Sequence, residues 1–159
     1  MPENPRESSF WPADNPAAIA HLTFLQGIIN RLANNSASCK TWCLVIVSAL
    51  LSLAGATHAS GIVTFALVPI VIFGCLDGMC LAQERAYRSL YTRIAQAIRN
   101  GSYARDDAYD LHAPPPSFMN FISALASWSI YPVYLGLILT YAVAASAGWL
   151  AVLTAVTKG

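Results

Sequence analysis

Charge is the property that this sequence has least of. Charged residues make up 11% of its 159 residues, against about 25% in a typical soluble domain. Two blocks, 41–76 and 113–157, contain no Asp, Glu, Lys or Arg. Each block exceeds the roughly 20 apolar residues that cross the hydrocarbon core of a bilayer. The pattern predicts an all-α membrane protein, and the net charge of +1 indicates no general affinity for nucleic acid.

Catalytic and metal-binding motifs are also missing from the sequence. It contains no HExxH, no GxSxG, no paired acids and no glycine-rich phosphate loop. The four cysteines, Cys39, Cys43, Cys75 and Cys80, lack the CxxC spacing of zinc sites. In a reducing cytoplasm we expect them to be free thiols. We therefore expect no enzyme activity, no cofactor and no metal site.

The N-terminal region lacks the apolar core of a secretory signal. Residues 1–15 are rich in Pro, Asn and Ser and are interpreted as a disordered tail, so the first membrane span would serve as its own insertion signal. Asn15 and Pro16 then predict a helix start. Apolar residues at helical spacing predict an amphipathic helix over 16–36. This helix is too polar to span a membrane. It could lie at the membrane surface or pack against a partner. Its polar face carries Thr23, Gln26, Asn30 and Asn34.

A transmembrane hairpin is predicted over 41–82, with spans at 41–56 and 62–82. The link between the spans has no Lys or Arg. Residues 83–116 follow as a cytoplasmic helix, continuous with the second span and ended by Asn100–Gly101, and then a proline loop. The basic residues lie before the first span and after the second, which places both flanking regions in the cytoplasm.

The last apolar block could hold one span or two. Its best turn candidate, around Trp128 to Pro132, leaves too few residues before it for a helix to cross. We therefore predict an interfacial helix over 117–127 and a third span over 129–156. Three spans place the C-terminus outside, whereas four would return it to the cytoplasm.

Asp77 is the one ionisable residue inside a predicted span, where such a group is costly and needs a partner or water. Arg31, Lys40 and Arg85 are its candidate partners at the cytoplasmic end. A structural ion pair or helix-end anchor is the plainer interpretation, and a proton- or ion-coupling role is the alternative.

Small residues at four-residue spacing allow close approach of helix backbones. Packing within one subunit and self-association both explain them. The three candidate pairs are Gly74 with Gly78, Ser48 with Ser52, and Ala144 with Gly148.

Two stretches of the chain resemble a family of small, largely uncharacterised bacterial inner-membrane proteins. The resemblance implies a location in the bacterial cell membrane and brings no established activity. Its first stretch is His21-Leu22, Gln26, Ile29, Arg31, Ala33 and Asn35-Ser36, followed by Lys40 and Trp42; its second is Leu76-Asp77, Gln83-Glu84-Arg85, Tyr87-Arg88 and Leu90-Tyr91.

Three functions fit these features. The first is an oligomeric interaction or signal-receiving protein, in which a cytoplasmic helical face engages a protein partner. The second is a small channel or membrane-disrupting effector, possible in a defence system, with Asp77 or Ser48 and Ser52 facing a pore. The third is an accessory subunit of a transporter or membrane enzyme.

Overall fold

The computed structural model describes residues 15–57, 60–104 and 107–156, with side chains for all of these except Ser60 and 147–156. Over these ranges the chain is helical and forms no strand. Residues 1–14 of the predicted tail over 1–15 and the centre of the hairpin link therefore lie outside the described residues. The five helices are α1 (Pro16–Thr57), α2 (Ser60–Phe65), α3 (Leu67–Arg99), α4 (Phe118–Leu125) and α5 (Tyr131–Val156).

Most helix ends lie where side-chain chemistry predicts them. At the start of α1, the Asn15 side chain accepts a hydrogen bond from the Ala17 amide at 2.8 Å, and Pro16 occupies the first helical position. At the end of α3, Gly101 has φ +67°, a conformation that glycine adopts at low cost. The Ser117 side chain accepts a hydrogen bond from the Met119 amide at the start of α4.

α1 differs from its prediction because it does not break between 36 and 41. One helix of 42 residues, about 63 Å long at 1.5 Å per residue, replaces the separate elements predicted over 16–36 and 41–56. The stretch 34–40 between the two predicted elements contains no Gly or Pro to end the helix. Ser36 and Lys40 instead turn inward and bond to each other and to Asp77.

The second predicted span, 62–82, is divided into α2 and α3. The Ala66 amide donates to the Val63 carbonyl at 3.0 Å, which is the tighter turn of an interrupted helix. Pro69 explains the break, because a proline has no N–H to bond the carbonyl four residues earlier. After it, α3 runs without interruption to Arg99, as the sequence predicts.

Helices α1 and α3 pack side by side. Together with neighbouring segments they enclose two separate hydrophobic cores, one toward each end of the pair. We call 15–36 with 83–116 the polar half, and 41–57 with 60–82 and 118–146 the apolar half. In the polar half, Leu25 packs with Leu90, Ile94 and Tyr103. In the apolar half, Cys43, Val47 and Ile70 pack with Ile130 and Tyr134.

Two stretches, within Pro16–Thr57 and Gly61–Arg99, are long and apolar enough to cross a membrane. Their apolar windows are only 17% and 28% buried, whereas the core helix of a soluble protein would be mostly buried. Large apolar side chains such as Val45, Phe65 and Val71 are instead exposed. Helix α5 is a third apolar helix, of 26 residues.

Candidate functional site

A polar layer separates the two cores, and it consists of Ser36, Lys40 and Asp77. Ser36 and Lys40 lie one turn apart on α1, and Asp77 faces them from α3. The Ser36 hydroxyl donates to Asp77 Oδ1 at 2.5 Å. Lys40 Nζ donates to Ser36 Oγ at 2.8 Å and lies 2.7 Å from Asp77 Oδ2. The layer thus joins both helices through one carboxylate.

The Asp77 side chain is fully buried, while that of Lys40 is 19% exposed. The contact of Lys40 with Oδ2 is an ion pair, and Oδ2 accepts no hydrogen bond from the described residues. A buried carboxylate without a cation would be costly. Lys40 is therefore the cation that the fold places beside the buried Asp77 carboxylate.

The other two candidate partners of Asp77 lie elsewhere. Arg85 Nη1 donates to Ser123 Oγ on α4 at 3.3 Å. Arg31 is exposed and forms no ion pair within the described part of the chain. The structure therefore brings one of the three predicted cations to Asp77.

Gly74 and Gly78 face other helices of the same chain. A Cβ added at Gly74 would lie 3.5 Å from the Tyr134 ring of α5, and one at Gly78 would lie 2.7 Å from Leu125 Cδ2 of α4. This face is therefore occupied within one subunit.

The other small-residue pairs are less enclosed. Ser48 and Ser52 are both exposed on α1. Ala144 is half-buried on α5, and Gly148 is outside the described side chains.

The four predicted face residues Thr23, Gln26, Asn30 and Asn34 are all exposed. Two of them line an open groove of about 620 Å³ between α1 and α3. At one wall, Gln26 Nε2 donates to the Tyr91 hydroxyl at 3.2 Å. The groove residues are Gln26, Ile29, Asn30, Arg88, Tyr91 and Thr92.

The groove has one charged side chain, Arg88, and its charge is partly neutralised. Arg88 Nε lies 2.7 Å from Glu84 Oε1, one turn earlier on α3. Most of the wall therefore consists of neutral hydrogen-bonding groups. Such a surface suits an uncharged polar segment of protein more than an anionic headgroup.

A buried histidine contact in the polar half was not predicted. His21 Nδ1 lies 2.9 Å from the Tyr103 hydroxyl, and Nε2 lies 3.0 Å from the Asp110 carbonyl. A carbonyl can only accept, so Nε2 carries a proton, and in the neutral imidazole Nδ1 accepts from Tyr103. The contact fastens the 102–116 loop to α1. Its signal in the sequence is the position of His21 between Ala18 and Leu25 on the apolar face.

Tyr103 and Tyr109 show how tightly this loop is held. Burial raises the pKa of the Tyr103 hydroxyl, with smaller contributions from Asp107 and Tyr109. Tyr109 has φ +64°, a rare backbone conformation for a residue other than glycine, and its ring stacks on His21. Tyr103 and Tyr109 therefore belong to the packed structure of the polar half.

Comparisons of the chain with known protein families, with curated proteins and with solved structures found no match. The family resemblance therefore stays a prediction, and any function must be argued from the geometry. Among the described residues, no group of three or more His, Cys, Asp or Glu side chains could hold a metal ion.

Proposed function

We propose that this chain is a bacterial inner-membrane protein that holds its polar half in the cytoplasm to engage a protein partner. The apolar half would cross the bilayer three times. The first span is the apolar part of α1, the second is α2 with the start of α3, and the third is α5. In this arrangement the role is non-enzymatic, and the membrane serves to anchor and orient the polar half. Self-association of the subunits would multiply the number of binding surfaces.

The contrast between the exteriors of the two halves carries this proposal. Exposed residues of the apolar half include Trp42, Val68, Ile72 and Leu139. An apolar surface that continues across several helices is a liability in water and is expected against lipid or another protein. The polar half instead exposes Asn, Gln and Arg side chains around its own core.

Basic residues support the orientation. Arg31 and Lys40 precede the apolar part of α1, and Arg85, Arg88, Arg93 and Arg99 follow that of α3. Because α1 and α3 are antiparallel neighbours, these residues belong to the same end of the molecule. The positive-inside rule then assigns this end to the cytoplasm.

Membrane topology is tested by alkaline carbonate extraction and by reporters fused at the C-terminus. We expect the protein to stay in the membrane pellet, with a C-terminal reporter active outside the cytoplasm. Release by carbonate would contradict the membrane location. A cytoplasmic C-terminal reporter would instead indicate four spans.

The groove between α1 and α3 is the proposed partner site. Gln26 and Asn30 offer amide donors and acceptors on one wall, and Tyr91 and Thr92 offer hydroxyls on the other. Neutral groups of this kind can satisfy the backbone of a bound helix or strand without a large desolvation cost. Binding there would bridge α1 and α3 beside the His21 contact.

Site-specific photocrosslinking in native membranes tests this site. A photoreactive side chain replaces Asn30, which lines the groove, or Asn35, which is exposed on α1 outside the groove. We expect a discrete protein adduct from position 30 that is weaker or missing from position 35. Lipid adducts alone from both positions would overturn the proposal.

A channel or membrane-disrupting effector is the second candidate, and Ser48 and Ser52 favour it. Both hydroxyls are exposed on the apolar half and, unlike Thr41 and Thr57, form no hydrogen bond within the described chain. Asp77 is enclosed by Ser36 and Lys40, which leaves the two serines to line a pore. Membrane potential should then fall on expression and recover in Ser48→Val/Ser52→Val. An unchanged potential would reject the channel.

An accessory subunit of a transporter or membrane enzyme is the third candidate. It shares the proposed groove but predicts a membrane-embedded partner. Co-purification of one stoichiometric membrane protein, lost when the groove residue Asn30 is changed to Trp, would identify this role.

A further inference from the structure

We propose that the crossing of α3 and α4 binds one anionic phospholipid, with its phosphate at Arg85 and an acyl chain against Met79 and Phe121. The inference rests on the proposed membrane location and adds a ligand to it. It concerns a surface separate from the groove between α1 and α3.

An apolar cleft lies on one side of the crossing. It has a volume of about 290 Å³ and is lined mainly by Met79, Ala82, Phe118 and Phe121. Phe118 and Met79 remain 75% and 51% exposed, so these surfaces are not covered by the chain itself. The cleft is mostly apolar, which suits a hydrocarbon chain.

A polar cleft of about 310 Å³ adjoins it and shares Ala82 and Ser117 with the apolar cleft. Its lining contains no carboxylate, and its hydrogen-bonding side chains are Arg85, Ser89, Ser117, Asn120 and Ser123. Together the two clefts fall within the roughly 300–1,000 Å³ range of ligand pockets.

Arg85 supplies the charge that the polar cleft needs to bind an anion. Its Nη1 donates to Ser123 Oγ at 3.3 Å, which holds the guanidinium toward α4. A guanidinium has five N–H donors in a planar fork that matches phosphate, and no ion pair occupies that of Arg85 in the described structure. Glu84, the acidic neighbour, pairs with Arg88 instead.

The order of the clefts along α3 matches the order of groups in a phospholipid. Met79 precedes Arg85 by six residues, about 9 Å along a helix, and belongs to the apolar half, whereas Arg85 belongs to the polar half. A lipid whose tail enters the bilayer would therefore place its tail at Met79 and its phosphate at Arg85. Free phosphate would use only the polar cleft and would leave the apolar cleft without a role.

Thermal unfolding of the full chain in detergent tests the lipid site. Phosphatidylglycerol and phosphatidylcholine with identical acyl chains are the probes, and glycerol phosphate is the headgroup without a tail. We expect phosphatidylglycerol to raise Tm in a saturable way and the other two to have little effect. Equal effects of the two lipids, or a full effect of glycerol phosphate, would overturn the proposal.

Two variants with a matched control assign the effect to the clefts. Arg85→Gln should weaken phosphatidylglycerol binding by about ten-fold or more, as expected for a lost charge-assisted hydrogen bond. Met79→Trp should weaken it by filling the apolar cleft. Arg99→Gln removes an exposed arginine of the same helix outside both clefts and should leave binding unchanged. Equal losses in Arg85→Gln and Arg99→Gln would reject a specific site.

Carbonate extraction of the same variants separates this inference from the proposed location. A wild-type protein that stays in the membrane but does not prefer phosphatidylglycerol overturns the lipid site alone. A protein released by carbonate overturns both.

Discussion

The polar half and the apolar half are built from the same two helices, α1 and α3, and differ in what surrounds them. Each half has a buried apolar core. Around the core of the polar half, exposed positions are mostly Asn, Gln, Thr and Arg, whereas those of the apolar half include Val45, Phe65 and Val71. A helix therefore continues across the boundary while its environment changes.

The boundary between the polar half and the apolar half is therefore a change of side chains along continuous helices, not a break in the backbone. Ser36, Lys40 and Asp77 lie where the two cores meet, and two hydrogen bonds and one ion pair join them. Each prediction below changes one half, or the layer between them, and asks whether the other half responds.

The largest effect is expected from removing Lys40. Lys40→Met leaves the buried Asp77 carboxylate without its cation and should lower the free energy of unfolding by about 3–5 kcal/mol. Chemical denaturation in detergent measures this. Asp77→Leu added to Lys40→Met should restore much of the loss, because no buried charge then remains unpaired. A double variant as unstable as Lys40→Met would show that packing, not charge, sets the cost.

A charge placed on the surface should have a large energetic cost in the apolar half and almost none in the polar half. Ile19 in the polar half and Val71 in the apolar half are both 56% exposed. Val71→Asp should impair membrane insertion by about 2.5–3.5 kcal/mol, the cost of an Asp at the centre of a span. Ile19→Asp should change stability by less than about 0.5 kcal/mol. Membrane insertion assays compare them, and equal insertion would contradict the assignment of the apolar half to lipid.

Tyr103→Phe should loosen the loop of the polar half without affecting the apolar half. It leaves His21 Nδ1 buried without a donor, which costs about 1–3 kcal/mol. Hydrogen exchange should show faster exchange in 102–116 and little change in α5. Tyr87→Phe is the control, since the Tyr87 hydroxyl forms no hydrogen bond with the described residues while its ring packs against the same core. Similar exchange in both variants would argue against the His21 contact.

The raised pKa of Tyr103 adds a pH dependence. The pKa of Tyr103 in the folded state lies above the unfolded value of about 10. The stability that the neutral hydroxyl contributes is therefore present below pH 10 and is lost as pH rises through the folded-state pKa. We expect loop exchange to increase above pH 10 in the wild type, and the increase should be smaller in Tyr103→Phe. An identical alkaline response in both proteins would exclude Tyr103 as its source.

The smallest effect on stability is expected when a helical glycine is replaced by alanine. Gly27 is exposed with open space around it, so Gly27→Ala should stabilise α1 by about 0.5–1 kcal/mol. Gly78→Ala should gain nothing, because its Cβ would lie 2.7 Å from Leu125 Cδ2 and 3.0 Å from Phe121 Cε2. Thermal unfolding measures both changes. A gain at Gly78 equal to that at Gly27 would mean that α4 is loosely packed.

Helix ends with a local chemical cause were predicted well from the sequence. Asn15 and Pro16 mark the start of α1, and Asn100 with Gly101 ends α3. The continuity of α1 was not predicted, because an amphipathic pattern over 16–36 is followed by a charge-free block from 41, and the two were interpreted as separate elements. The break at Ala66 was also missed, although Pro69 was its signal.

The candidate site divides in the same way. Asp77 was identified because it is an acid in an apolar run, but its three possible cations could not be ranked by sequence. Lys40 lies one turn from Ser36, on the side of α1 that faces α3. Which side of α1 faces α3 is set by the packing of the two helices. The contacts of His21 were not predicted, because both of its hydrogen-bond partners lie more than 80 positions later in the chain.

The sequence by itself determined the helical class, the positions of the long apolar stretches and most helix ends, since these depend on composition and on neighbours a few residues away. Only the tertiary structure decided which charges meet, which faces are covered and where the open clefts lie. The reason is physical: a side chain's partner across a helix pair is set by the register of packing, and that register depends on the whole core.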